Sequence, residues 1–177
     1  MAPKYTLEQK IADFESATRE QIFDAADALL KPPSRYALAA LRLLVGYFEP
    51  IAKYTAGFAQ QRDSKKYFVQ GCQDVLARRV TPRPSHRDPT NEQFGSFYEI
   101  VRCGLAHGAT LSFKALISPG PYVFTIATDG SGVSVNPDGL LKLLRRDLDA
   151  YLKILRDPAN ATERQRFESR WDFEASL

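Results

Sequence analysis

Between residues 111 and 135 the apolar side chains of this chain change their spacing, and that change constrains the fold more than any other feature. On either side of the segment they recur at three- and four-residue intervals, the period of an amphipathic helix. Inside it they alternate, the period of a half-buried strand. Leu111, Phe113, Ala115 and Ile117 alternate, Ser118-Pro119-Gly120-Pro121 turns the chain, and Tyr122, Phe124 and Ile126 alternate again. Asp129-Gly130-Ser131-Gly132 makes a second turn before Val133 and Val135. This predicts a small antiparallel meander of two or three strands over residues 111–135.

Caps and prolines punctuate the helical segments. Thr6 and Gln9 form a capping box ahead of an apolar stripe through Leu7, Ile11, Phe14, Ile22, Phe23, Ala26, Leu29 and Leu30, which Pro32-Pro33 ends. Ser34 opens a second helix, apolar nearly all round as far as Phe48, which marks it as central in a bundle. Glu49-Pro50 is expected to end or kink it, with Ile51 to Phe58 continuing as a further piece. A third helix is expected from about Lys65 to Arg79, with Phe68, Cys72, Val75 and Leu76 inward. Three prolines between Thr81 and Pro89 mark a loop, and Thr90-Asn91-Glu92-Gln93 repeats the capping box. The fourth helix is expected from Asn91 to His107, with Gly108 as its cap. Asn136-Pro137 starts a Leu-rich helix to about Arg156, and Asn160 opens a last one with Phe167 and Trp171 one turn apart. The expected fold is mainly α: a helical bundle over 6–110, the meander over 111–135 and C-terminal helices over 136–175, all in one domain, 1–177.

Composition supports this and excludes other classes. At 177 residues, 44% hydrophobic and 25% charged, the chain can bury one sizeable core and is not disordered, collagenous or a disulfide scaffold. Its longest apolar stretch, Tyr36 to Phe48, is interrupted by Arg42 and falls short of the roughly 20 residues that span a bilayer, so no membrane partner is expected. The opening MAPKYTLEQKIADFE has no apolar run, and no signal peptide is expected. Cys72 and Cys103 read as buried thiols in a reducing compartment, which predicts a cytoplasmic location. Net charge is only +3, but residues 62–87 carry seven Lys/Arg (Arg62, Lys65, Lys66, Arg78, Arg79, Arg83, Arg87) against Asp63 and Asp74. A basic middle of this kind attracts a phosphate backbone; the plainer reading is a solvated helix face followed by a charged loop.

Two histidines narrow the search for chemistry. His86 lies in the proline-rich loop and reads as solvated surface. No spacing of zinc ligands exists, so neither a metal nor a cofactor is expected. Gly130-Ser131-Gly132 lies between strands and reads as a turn, not a nucleotide cradle. His107 has richer neighbours: Tyr98, Glu99, Arg102, Cys103 and Gly104 precede it on the same helix. In α-geometry Arg102 and His107 diverge by about 140° and stand about 7.5 Å apart along the axis, so they border a groove only if the helix end is distorted or packs on a partner. Glu99, Cys103 and His107 follow at i, i+4 and i+8, which suits Glu99 to orient that side, and Tyr98 and Arg102 are one turn apart. Gly104 lets another backbone come close. A guanidinium beside an imidazole suits phosphodiester chemistry, because arginine holds phosphate bidentately and histidine titrates near neutrality. The competing reading is structural: Arg102 paired with a carboxylate and His107 bonded to carbonyls at the helix end.

Arg102-Cys103-Gly104-Leu105-Ala106-His107 resembles the Rx4H motif of the HEPN superfamily, the higher eukaryotes and prokaryotes nucleotide-binding domains. Phe97-Tyr98 ahead of it, Gly108 behind it, and Leu44-Val45-Gly46-Tyr47-Phe48-Glu49 are similar to uncharacterised bacterial HEPN-like proteins. The resemblance implies a homodimer that brings two motif helices together around an RNA groove. It implies metal-independent cleavage to 2′,3′-cyclic phosphate ends, with His107 as general base and Arg102 on the scissile phosphate. It implies equally a class of non-catalytic binding or regulatory modules. Active members usually carry a polar residue just after the arginine, and here that position is Cys103. RNA-backbone contacts are expected at Lys65, Lys66, Arg78, Arg79, Arg83 and Arg87.

Overall fold

The computed structural model describes residues 5–32, 36–57, 63–78, 89–107 and 114–177. It is mainly helical, with one small sheet. The first helix begins as expected: Thr6 accepts from the Gln9 amide while the Gln9 side chain takes the Thr6 N–H, and α1 runs Leu7–Thr18. It continues through a π-helical turn, Arg19–Asp24, into α2, Ala25–Leu30. A π turn loosens the backbone ladder at carbonyls that then need other donors. Here Arg145 reaches the Phe23 carbonyl at 3.5 Å and the Asp24 carboxylate at 2.9 Å.

The break in the second helix falls earlier than Glu49-Pro50. Helix α3 is Ala37–Val45, Gly46-Tyr47 make a tight turn, and α4 is Phe48–Ala56. Pro50 therefore sits in the first turn of α4, where its missing N–H leaves no intrahelical bond unmade. The expected opening at Ser34 lies outside the described residues. Helix α5, Ser64–Ala77, crosses α4 at very close range: a Cβ on Gly71 would sit 1.9 Å from the Phe48 carbonyl oxygen. The Thr90 capping box opens α6, Asn91–Phe97, which passes through a second π turn, Tyr98–Cys103, into α7, Gly104–His107. The expected cap at Gly108 lies outside the described residues. Helices α8, Pro137–Arg156, and α9, Ala161–Glu174, close the chain.

The sheet differs from the expected meander. Its strands are β1 (Ala115–Ile117), β2 (Phe124–Ile126) and β3 (Val133–Val135), and β3 is central. Strand β2 pairs antiparallel with β3, Phe124 opposite Val135, through the turn where Gly130 takes a left-handed φ of 70°. Strand β1 pairs parallel with β3, Ala115 opposite Val133. The segment after β1 straddles the end of β3: Ser118 donates to the Val135 carbonyl, Asn136 donates to the Val123 carbonyl, and the Asn136 side chain holds the Gly120 carbonyl at 2.7 Å. That path carries the chain to the far side of β3. Alternation in sequence marks a strand, but it does not say which neighbour the strand takes. Leu111 and Phe113, expected in the first strand, lie outside the described residues.

One core joins these elements. It runs from Ile11 and Phe14 through Leu41, Leu44, Phe48 and Phe68 to Val133, Leu144, Leu148 and Phe167. Phe48, Phe68 and Phe97 meet edge-on with centroids 5.2 to 6.2 Å apart, which sets α6 and its π turn against α4 and α5. Phe97 stacks on Phe124 at 5.5 Å, which seats the sheet on the same helix.

Candidate functional site

The motif helix is π-helical over Tyr98–Cys103, so Arg102 and Cys103 lie in the π turn while Gly104 to His107 return to α-helix. A π turn holds about one residue more per turn than an α turn, so residues five apart come round to the same side. The 140° separation expected for Arg102 and His107 in α-geometry spans the junction where this turn gives way to α-helix at Gly104. Tyr98 opens this turn and Cys103, its neighbour, closes it. Burial first, then this neighbour, pushes the Tyr98 phenol above its ordinary 10.0, with Arg102 opposing and Glu49 adding to the rise. The side chain of His107, which closes α7, lies outside what is described. Gly104 keeps ordinary helical geometry, φ −55°, where the α-helix resumes.

Glu99 does not turn toward Cys103. It is exposed, with one carboxylate oxygen 3.1 Å from Lys65 Nζ on α5. Lys65 thus spans from α5 to the motif helix, lying over Gly95, where a Cβ would meet its Cε at 3.3 Å.

Arg102 is half-buried and has no hydrogen bond or ion pair among the described residues. This sets it apart. Every other described arginine that is buried or half-buried holds a carboxylate: Arg19 takes Glu15 and Asp149, Arg78 Asp147, Arg145 Asp24, Arg164 Glu8 and Arg170 Glu174. The paired, structural role open to Arg102 in the sequence is absent among the described residues.

Arg78 corrects an expectation. It was to face an RNA backbone, but it points inward, its guanidinium 2.7 and 3.1 Å from the two oxygens of Asp147 on α8. Asp147 is 3% exposed, Tyr47 donates to it at 2.8 Å, and the guanidinium also lies 5.4 Å from the Tyr151 ring centroid. A charge so committed is not available to a ligand. Lys66 is exposed and Lys65 is paired as described. Arg79, Arg83, Arg87 and His86 lie outside the described residues.

A group that the sequence reading passed over stands beside the π turn. Lys53 on α4 is only 8% exposed, and its Nζ lies 2.5 Å from Glu49 Oε1 and 5.5 Å from the Tyr67 ring centroid. Ser64, at the start of α5, donates to the same Glu49 oxygen at 3.1 Å. Glu49 contributes to the field at Tyr98, so this cluster borders the motif turn. The signal was present in the sequence as an acid and a lysine four apart on one helix. Pro50 masks it, because a proline between the two reads as a helix end.

Among the described residues no three His, Cys, Asp or Glu converge as a metal site, and no helix is long and apolar enough to cross a membrane. An open cleft of about 550 Å³ between the first π turn and the C-terminal half of α8 is lined by Arg19, Asp149, Leu152, Lys153, Arg156 and Asp157. Its arginines are tied to Glu15 and Asp149, so it offers an anion no free guanidinium. Comparison of the chain with protein-family models, with curated proteins and with solved structures finds no significant match to any of them.

Proposed function

We propose that the second π turn together with His107 forms a phosphodiester site, and that the protein is a HEPN-like, metal-independent endoribonuclease of the cytoplasm. The observation that carries this reading is Arg102: among the described residues it is a half-buried guanidinium without a carboxylate, where every other buried or half-buried arginine holds one. Leaving a desolvated cation unpaired is costly unless an anion from outside completes it. In this reading Arg102 holds two phosphate oxygens and His107 takes the proton of the adjacent 2′-hydroxyl. The 2′-oxygen then attacks phosphorus, the P–O5′ bond breaks, and the 5′-oxygen takes a proton from solvent as it leaves, giving a 2′,3′-cyclic phosphate and a 5′-hydroxyl while His107 returns its proton to solvent. Arg102 carries the charge that develops on the phosphate. Lys65 and Lys66 border the path of the backbone. A homodimer pairing two such turns makes the groove long enough for a strand.

One observation favours a second reading, a HEPN-like dimer that binds RNA or a regulatory ligand without turning it over. The residue after Arg102 is Cys103, whose thiol is a weak hydrogen-bonding group. End-labelled single-stranded RNA in excess EDTA separates the two. The nuclease reading predicts cleavage that leaves cyclic phosphate ends and falls by at least about 100-fold in His107→Ala. Binding by a light-scattering dimer without cleavage supports the second reading, and equal cleavage by both proteins contradicts the assignment of His107.

A further inference from the structure

Helix α9 is held to the molecule differently from α8. Of its 14 residues only Phe167 and Arg170 are buried, with Trp171 half-buried, whereas α8 buries nine side chains. The rest of its hold is polar. Arg164 reaches Glu8 on α1 at 3.0 Å and the Leu155 carbonyl of α8 at 2.6 Å. Glu168 and Asp172 lie 2.9 and 2.6 Å from Lys10 Nζ on α1, and Glu174 accepts from Tyr54 on α4 at 2.5 Å. Lys10 is buried under its pairs, but the Glu168 and Asp172 side chains are 43% and 59% exposed, so dissolved ions reach the acidic side. Beneath them Phe167 stacks on Tyr54 with centroids 5.2 Å apart and meets Phe14 edge-on at 5.4 Å, and Trp171 lies on Phe167 at 6.2 Å. The Phe48–Phe68–Phe97 contacts and the Arg78–Asp147 pair contain no residue of α9. Little apolar burial and ion pairs open to solvent are the marks of a segment that opens on its own, below the free energy of global unfolding.

We propose that α9 is a releasable strap: it lifts from α1 and α4 as a unit, to an extent set by ionic strength, while the rest of the chain stays folded, and so bares the aromatic face of Phe14 and Tyr54 beside the Lys10 ammonium. This stands independently of the reading of Arg102. Lys10 is the centre of the device. Docked, it is covered and takes two carboxylates; released, it returns to water, so opening strands no buried charge. Screening weakens the docked pairs and leaves the hydrated open form as it was, which gives salt a one-way effect on the equilibrium. The contacts of Phe167 set the opposing bias toward the docked form, because apolar burial carries no charge to screen. The connection over residues 157–160 keeps the released helix close to its seat.

The test is amide hydrogen exchange of the full chain at neutral pH, read peptide by peptide by mass spectrometry, in ~0.05 M and ~0.5 M sodium chloride. Amides over residues 164–172 are expected to exchange at least about tenfold faster than those over residues 144–152 of α8, through opening short of global unfolding. The higher salt is expected to speed the α9 amides by about three- to tenfold and to leave those of α8 unchanged. Lys10→Met keeps an apolar chain of similar length and removes the charge. Its α9 is expected to exchange in low salt as fast as the parent's does in high salt, with most of the salt dependence gone. Lys10→Arg keeps the charge and is expected to keep the salt dependence. Exchange of α9 in step with α8 at both salt concentrations overturns the proposal, and so does a separate opening that salt does not change. Both outcomes are read on the parent alone and need no variant to fold. Lys10→Met with the parent's salt dependence overturns the role given to Lys10.

Discussion

At Gly71 one hydrogen atom decides how near two helices can lie. A methyl group there would overlap the Phe48 carbonyl at 1.9 Å, and backbone cannot rotate away as a side chain can. Gly71→Ala is expected to cost about 3 kcal/mol or more, read as a lower urea midpoint, because α4 and α5 must part and loosen the Phe48–Phe68–Phe97 contacts. A variant as stable as the parent would contradict the close crossing. The same scale shows what a sequence can hide. Arg78 and Arg102 look alike in the chain, each near a helix end with apolar neighbours. Their difference lies in Asp147, 69 residues downstream of Arg78, which the fold carries to one guanidinium and not to the other. Residue type alone could nominate Arg102; only packing could remove Arg78.

Helices that begin with a chemical signature were legible. The Thr6 and Thr90 capping boxes form as expected, and Asn136 caps α8, its side chain accepting from the Gly139 amide at 3.0 Å. The two π turns were not, because one extra residue per turn leaves the apolar stripe nearly in register and no residue type marks it. The parallel pairing of β1 with β3 was hidden for a similar reason, since three-residue strands carry no record of their neighbour. The α1–α8 contact gives an element-scale prediction. Burial alone would raise the Glu15 carboxyl, but hydrogen bonds from Arg19 and Arg156 outweigh it and hold its pKa below the ordinary 4.5. A carboxylate lowered in the folded state stabilises above its unfolded pKa and loses that contribution as pH falls through the folded value. Glu15→Gln is therefore expected to be less stable than the parent by about 1 kcal/mol at neutral pH, with the gap closing below pH ~4. Melting curves across pH check this; a gap independent of pH would mean the charge contributes nothing.

The whole molecule uses its last helix as a clamp. Lys10 on α1, 5% exposed, takes Glu168 at 2.9 Å and Asp172 at 2.6 Å, while Tyr54 on α4 takes Glu174 at 2.5 Å. Phe167 beneath these pairs stacks on Tyr54 and meets Phe14 edge-on, so α9 binds by charge at its margins and by aromatic contact at its centre. With α9 holding α1 and α4 together in this way, the second π turn packs on α5 through the Tyr98–Phe68 contact. Its arginine is left without a carboxylate among the described residues. We propose that a phosphate completes it. The most direct measurement is single-turnover cleavage of end-labelled single-stranded RNA in EDTA by the parent, by Arg102→Ala and by Arg42→Ala, an exposed arginine of α3 that serves as control. Arg102→Ala is expected to lose at least about 100-fold and Arg42→Ala to cleave as the parent does. Equal rates in all three, or equal losses in both variants, would contradict it.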